Sequence, residues 1–162
     1  MKRRHAVLLA LAMLPWAGAH AQQEQSTTFR VTARVQAVCE VTATDLDFGT
    51  YTAQSGTTLQ GSTLLRATCT PDTTYNIGLN EGTSPGATVN QRRMVAGTQV
   101  LNYQLYSDTN RSTIWGNTPG TNTVTGVGTG QPLDHTVFGA VPAAQVIPAG
   151  DYGDTITVRI YY

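Results

Sequence analysis

Phe29-Arg30-Val31-Thr32-Ala33-Arg34-Val35-Gln36-Ala37 is apolar at every second position, with arginine, threonine and glutamine in between. A strand projects successive side chains to opposite faces, so this alternation predicts a half-buried β-strand with Phe29, Val31, Ala33, Val35 and Ala37 on one face. The pattern runs on into Val38-Cys39-Glu40-Val41. The closing segment repeats it: Ile156, Val158 and Ile160 share one face, and Thr155, Thr157, Arg159 and Tyr161 the other.

Between these ends the same signal returns in short pieces. Strands are predicted at Val38 to Thr42, Leu46 to Phe48, Leu64 to Cys69, Tyr75 to Leu79, Val100 to Tyr106, Val137 to Val141 and Thr155 to Tyr161. Turn formers separate them, such as Asn80-Glu81-Gly82, Ser84-Pro85-Gly86 and Pro148-Ala149-Gly150-Asp151. No window after the first 21 residues carries apolar residues at helical spacing. Short strands joined by polar turns predict an all-β sandwich. The Thr118 to Gln131 stretch, rich in Gly, Thr and Asn, reads as a surface loop or a weak edge strand.

The first 21 residues are of a different kind. Lys2, Arg3 and Arg4 precede an apolar run from Ala6 to Leu14, and Ala19-His20-Ala21 ends the segment. This is the pattern of a secretory signal peptide, too short in its apolar part to span a bilayer, which needs roughly 20 apolar residues. Residues 1–21 are therefore expected to be a removable leader that directs the chain out of the cytoplasm. No later run is apolar enough to predict a membrane span. Residues 22–162 are of a length that suits one domain.

Past residue 21 the chain holds no lysine, seven arginines and ten acids. Such a balance lacks the basic footprint of nucleic-acid binding. In an exported chain Cys39 and Cys69 are expected to form a disulfide, worth roughly 3–4 kcal/mol for a loop of about 30 residues. The competing reading is two free or metal-bound thiols, for which no neighbouring histidine speaks.

Catalytic constellations are sparse, and no enzyme activity, catalytic residue, metal site or cofactor is expected. His135 is the one histidine beyond the leader and reads as a loop residue. Asp45 with Asp47, and Asp151 with Asp154, could be read as acid pairs for glycoside hydrolysis. Beside turn residues they fit better as side chains that bind nearby backbone. Gly126-Val127-Gly128-Thr129-Gly130 lacks the Lys-Ser/Thr of a phosphate loop. Asn110-Arg111-Ser112 matches a glycosylation triplet, to which we assign no role. Trp115, among polar neighbours, could pack inside or stack on a sugar.

Four motifs in order carry a family resemblance: Val38-Cys39-Glu40-Val41 leading to Leu46-Asp47-Phe48-Gly49-Thr50-Tyr51; Ala67-Thr68-Cys69-Thr70; Leu101-Asn102-Tyr103-Gln104-Leu105-Tyr106-Ser107-Asp108; and Ala149-Gly150-Asp151-Tyr152-Gly153-Asp154-Thr155-Ile156-Thr157-Val158. Together they resemble the spore coat protein U domain over about Phe29 to Tyr162. That resemblance implies an immunoglobulin-like sandwich lacking one strand, as in subunits of archaic chaperone–usher pili. It implies a periplasmic chaperone, an outer-membrane usher and identical or related subunits as partners, with export to the cell surface and a part in adhesion and biofilm formation. Residues 22–35 are then the donor strand, with Phe29, Val31, Ala33 and Val35 as its inserting face and a hinge near Val35 to Ala37. Residues 36–162 are the pilin domain, and Ile156, Val158 and Ile160 edge its groove. One domain with such an extension suits a shaft subunit better than a tip adhesin. The alternative is a self-contained secreted coat or carbohydrate-binding module that keeps Phe29 to Val35 in its own sheet.

Overall fold

The computed structural model describes residues 22–53 and 56–162. The expected leader lies outside the described residues. The chain divides after Arg34. Residues 22–34 carry no strand and are exposed throughout. The half-buried strand expected from Phe29 to Ala37 is thus not formed: Phe29 is 86%, Val31 81% and Val35 85% exposed. Alternation prepares a segment for pairing, but a strand exists only where a neighbour supplies the ladder.

The described residues of 35–162 form eight strands: β1 Cys39–Ala43, β2 Leu59–Cys69, β3 Thr74–Leu79, β4 Arg92–Ala96, β5 Gln99–Tyr106, β6 Val124–Val127, β7 Leu133–Val141 and β8 Val158–Tyr161. They make a five-stranded sheet in the order β1-β2-β7-β5-β4 and a three-stranded sheet in the order β6-β3-β8. Every pairing is antiparallel. Leu65, Ala67, Leu101, Leu105 and Val137 of the first sheet share one buried core with Tyr75, Ile77 and Leu79 of the second. Burial alternates along β2 and at Tyr75, Ile77 and Leu79 of β3, as a two-layer sandwich requires. Cys39 and Cys69 face each other in the β1–β2 register and are bonded.

Two strands arise where the sequence pattern is weak. β6 lies inside the Gly- and Thr-rich stretch, in keeping with its weak-edge reading. β4 has no strand signature because its first inward residue is Arg92. A two-residue Gly97-Thr98 turn, with Gly97 at φ 58°, returns it to β5 as a hairpin.

Arg92 is fully buried. Its guanidinium donates to the carbonyls of Leu79 at 2.9 Å, Asn80 at 2.8 Å, Val89 at 3.3 Å and Trp115 at 2.7 Å, and to Gln104 Oε1 at 2.6 Å. Burial pulls its pKa down to about 10, against the raising influence of Tyr103, Asp154 and Glu81, so it stays charged at neutral pH. One side chain thereby ties the end of β3, the loop before β4 and the loop after β5. Trp115 is 1% exposed and donates Nε1 to the Ile77 carbonyl at 2.7 Å. It packs the interior, and the sugar-stacking reading is set aside. His135 lies on β7, not in a loop, where Nε2 is 2.8 Å from the Tyr75 hydroxyl across the two sheets.

Replacing Arg92 with Met strips donors from four carbonyls and an amide oxygen. The urea unfolding midpoint is expected to fall by the equivalent of about 3–5 kcal/mol. His135 supplies a pH dependence. Burial lowers its pKa below the ordinary 6.5, while Asp134 opposes the shift. The unfolded chain therefore takes up this proton first, so the contribution is whole above pH 6.5 and is lost as pH falls through the folded value. Unfolding midpoints should drop on acidification over that range, and His135→Gln should remove this component.

Candidate functional site

An open groove runs along the sandwich between two segments that precede strands or link them. One wall is residues 44–53, between β1 and β2. The other is residues 147–157, leading into β8. Two adjoining cavities of about 530 and 680 Å³ share Leu46, Asp47, Phe48, Met94 and Tyr152 and together trace it. Leu65, Leu79, Leu105 and Val137, all members of the buried core, form part of its floor. The groove therefore opens directly onto the core.

Both walls alternate without pairing across the gap. Leu46 and Phe48 are half-buried while Asp45 and Asp47 are exposed; Tyr152, Asp154 and Ile156 are half-buried while Asp151, Gly153 and Thr155 are exposed. Among the described residues no backbone hydrogen bond joins 45–53 to 147–157. The strand expected at Leu46 to Phe48 is not formed, and the last strand begins at Val158 rather than Thr155. As at residues 29–37, the apolar pattern is present without a strand to pair with on the open side.

The first wall is seated by a pair of glycines. Gly61 and Gly139 face each other in the β2–β7 register. A Cβ on Gly139 would lie 2.6 Å from Phe48 Cζ and 2.7 Å from Leu46 Cδ2, so only glycine lets these side chains lie against the sheet. From beyond the strands Arg111 donates to the Gly139 carbonyl at 3.0 Å and the Gly61 carbonyl at 3.4 Å.

The second wall is held by Asp154. Its Oδ1 accepts from the backbone amides of Thr83 and Ser84 at 2.9 and 3.2 Å, and from both their hydroxyls at 3.2 Å. Its Oδ2 accepts from the Tyr103 hydroxyl at 2.8 Å. Burial, then the bond to Asp154, drives the Tyr103 pKa well above its ordinary value, so the phenol stays a donor. Gly82, at φ 94°, has no room for a Cβ against the Asp154 carboxylate. Gly153 and Val95 exchange backbone bonds at 2.9 and 3.1 Å, and Thr157 pairs with Asn80.

The site residues expected from sequence fall in different places. Ile156 and Val158 line the groove, whereas Ile160 pairs with Ile77 inside the second sheet. Phe29, Val31, Ala33 and Val35 are exposed. Asp47 binds its own backbone through the Gly49 amide at 2.7 Å, as its turn context implied. Asp154 does not: its partners are 51 to 71 residues away in sequence. His135 is engaged by Tyr75, and the neighbouring Asp134 by Arg66 at 2.7 Å, while Asp45 and Asp47 line the groove. His135 is not among the residues that line the groove, whereas both acid pairs weighed from sequence are. Tyr103 and Tyr152 belong to the motifs that carry the family resemblance, whereas Gly61 and Met94 join the site without a sequence motif to mark them; isolated glycines inside strand patterns are the one local signal of a close approach.

Removing the clamp should weaken the fold. Asp154→Ala leaves the Tyr103 hydroxyl and the Thr83 and Ser84 amides without their acceptor, at an expected cost of about 2–4 kcal/mol in denaturant unfolding. Gly82→Ala attacks the same contact, so the double variant should be clearly less destabilised than the sum of the two.

Against this geometry, the family model of the Spore Coat Protein U domain matches residues 25–159. Protein U of Myxococcus xanthus is 38% identical over 128 residues, covering 72% of this chain and 71% of that protein. Among solved structures, the crystal structure of a CsuC–CsuE chaperone–tip adhesion subunit pre-assembly complex, from archaic chaperone–usher Csu pili of Acinetobacter baumannii, superposes with a TM-score of 0.58 at 26% identity. The alignment covers 79% of this chain and 40% of that one, so the present chain spans about two fifths of the solved chain.

Proposed function

The chain belongs to the Spore Coat Protein U domain family, and we propose that it is a structural subunit of a chaperone–usher pilus that polymerises by lending residues 22–35 to the groove of a neighbouring subunit. The observation that carries this reading is the groove itself, whose two alternating walls face each other unpaired above an open core. An added strand would satisfy the backbone of both walls, and its alternate side chains would fill the apolar floor. Phe29, Val31, Ala33 and Val35 have the required spacing and lie exposed. Fully burying each large one is worth roughly 1.5–3 kcal/mol.

The same physics calls for a chaperone. A groove that exposes apolar core and unpaired backbone invites edge-to-edge aggregation until something covers it. A periplasmic chaperone would cover it first, and an outer-membrane usher would then exchange that cover for the next subunit's extension. The expected leader supplies export, and the fibre would support adhesion and biofilm formation at the cell surface. The solved relative is itself a chaperone–subunit complex, which supports a chaperone as one partner. A self-contained module is less favoured, because residues 29–35 form no ladder and keep their apolar side chains exposed.

Deleting Gln22 to Arg34 should leave a chain that still binds its chaperone but builds no long fibres in electron micrographs. Val31→Asp in the full chain should do the same by placing a charge in the apolar floor. Long fibres from both variants would overturn the proposal.

A further inference from the structure

The groove has a charge pattern that its role as a general strand acceptor does not require. Asp45, Asp47, Asp151 and Asp154 line it, and among the described residues no arginine, lysine or histidine does. Asp154 points inward and is saturated by Tyr103, Thr83 and Ser84. Asp45 and Asp47 on one wall and Asp151 on the other are exposed, on the outward side of each alternation. The groove thus has an apolar floor and an acidic rim on both sides.

The segment from Phe29 to Val35 is the converse. Its inward set is Phe29, Val31, Ala33 and Val35, and its outward set includes Arg30 and Arg34. Residues 22–34 hold two arginines against the one acid Glu24, whereas residues 35–162 hold nine acids against five arginines. A strand laid between the two walls puts its outward residues on the same face as the outward residues of its neighbours, within cross-strand reach.

Resting on the strand-lending reading above, we infer that Asp45, Asp47 and Asp151 are specificity determinants that select, as occupant of the groove, the extension of a second copy of this chain through Arg30 and Arg34. Rim charges at an interface act chiefly on the rate of productive encounter and on rejection of wrong partners. A strand with the same apolar spacing but acidic outward residues meets repulsion from both walls. The chain therefore favours a homopolymer.

The test is a charge swap in the full chain from Gln22 onward, followed by light scattering and by the ladder of detergent-resistant oligomers. R30E/R34E alone and D45K/D151K alone each set like charges against like, and each should assemble about tenfold more slowly than wild type at low salt. At about 1 M salt the difference should shrink to within about twofold. Mixed in equal amounts, the two variants should recover assembly to within about twofold of wild type, because each then meets an opposite charge on the other. That recovery also shows that both variants are folded. Val31→Asp is run beside them. If the charge variants assemble at the wild-type rate, or their mixture is no faster than either alone, while Val31→Asp fails, the selection by charge is wrong and strand lending stands. If Val31→Asp also assembles normally, strand lending itself falls.

Discussion

The structure is organised around two wall segments that no backbone bond joins to each other. Residues 45–53 and 147–157 face each other across a gap that no backbone bond closes, and the apolar floor between them belongs to the core. Peptide groups at such walls can be hydrated, but the floor cannot be exposed to water without cost. A sandwich in this condition has two options, to collapse the gap or to hold it open for another strand.

Several features hold it open. Asp154 gathers Tyr103, Thr83 and Ser84 onto one carboxylate and fixes the wall that carries Tyr152 and Ile156. Gly61 and Gly139 let Leu46 and Phe48 sink against β2 and β7 instead of filling the gap. Arg92 locks the far side of the core, where β3, β4 and the loop bearing Trp115 converge. Each device is built from residues distant in sequence. A groove held in the shape its occupant needs loses less free energy to ordering when the occupant arrives.

The polar surface complements this frame. The walls present their apolar residues to the gap and Asp45, Asp47 and Asp151 to solvent, with Asp154 turned inward. The extension carries the matching alternation with arginines outward.

Much of the fold was legible in consecutive residues. Val100 to Tyr106, Tyr75 to Leu79 and Val137 to Val141 alternate or run apolar because they are half or wholly buried, and each is a strand within a few residues of the expected bounds. Cys39 and Cys69 were expected to bond from the compartment alone, and they do. The groove was legible only through resemblance to the spore coat protein U domain. The clamp on its second wall was not, because Asp154 looks like any aspartate beside a turn, and on the far side of the core Arg92 hides the strand it begins. Their roles depend on which carbonyls and hydroxyls the fold brings to them.

Alternation belongs to the sequence, and burial follows it at Asp45 to Phe48 and Asp151 to Thr157, whereas Phe29 to Ala37 lies exposed on both faces. Whether alternation becomes a strand was decided by tertiary structure, since a ladder needs a neighbour at hydrogen-bonding distance and side-chain order along one segment carries no information about its neighbour. At Asp45 to Phe48 and Asp151 to Thr157 the period is right and no backbone bond joins the two segments across the gap, and that combination defines the site.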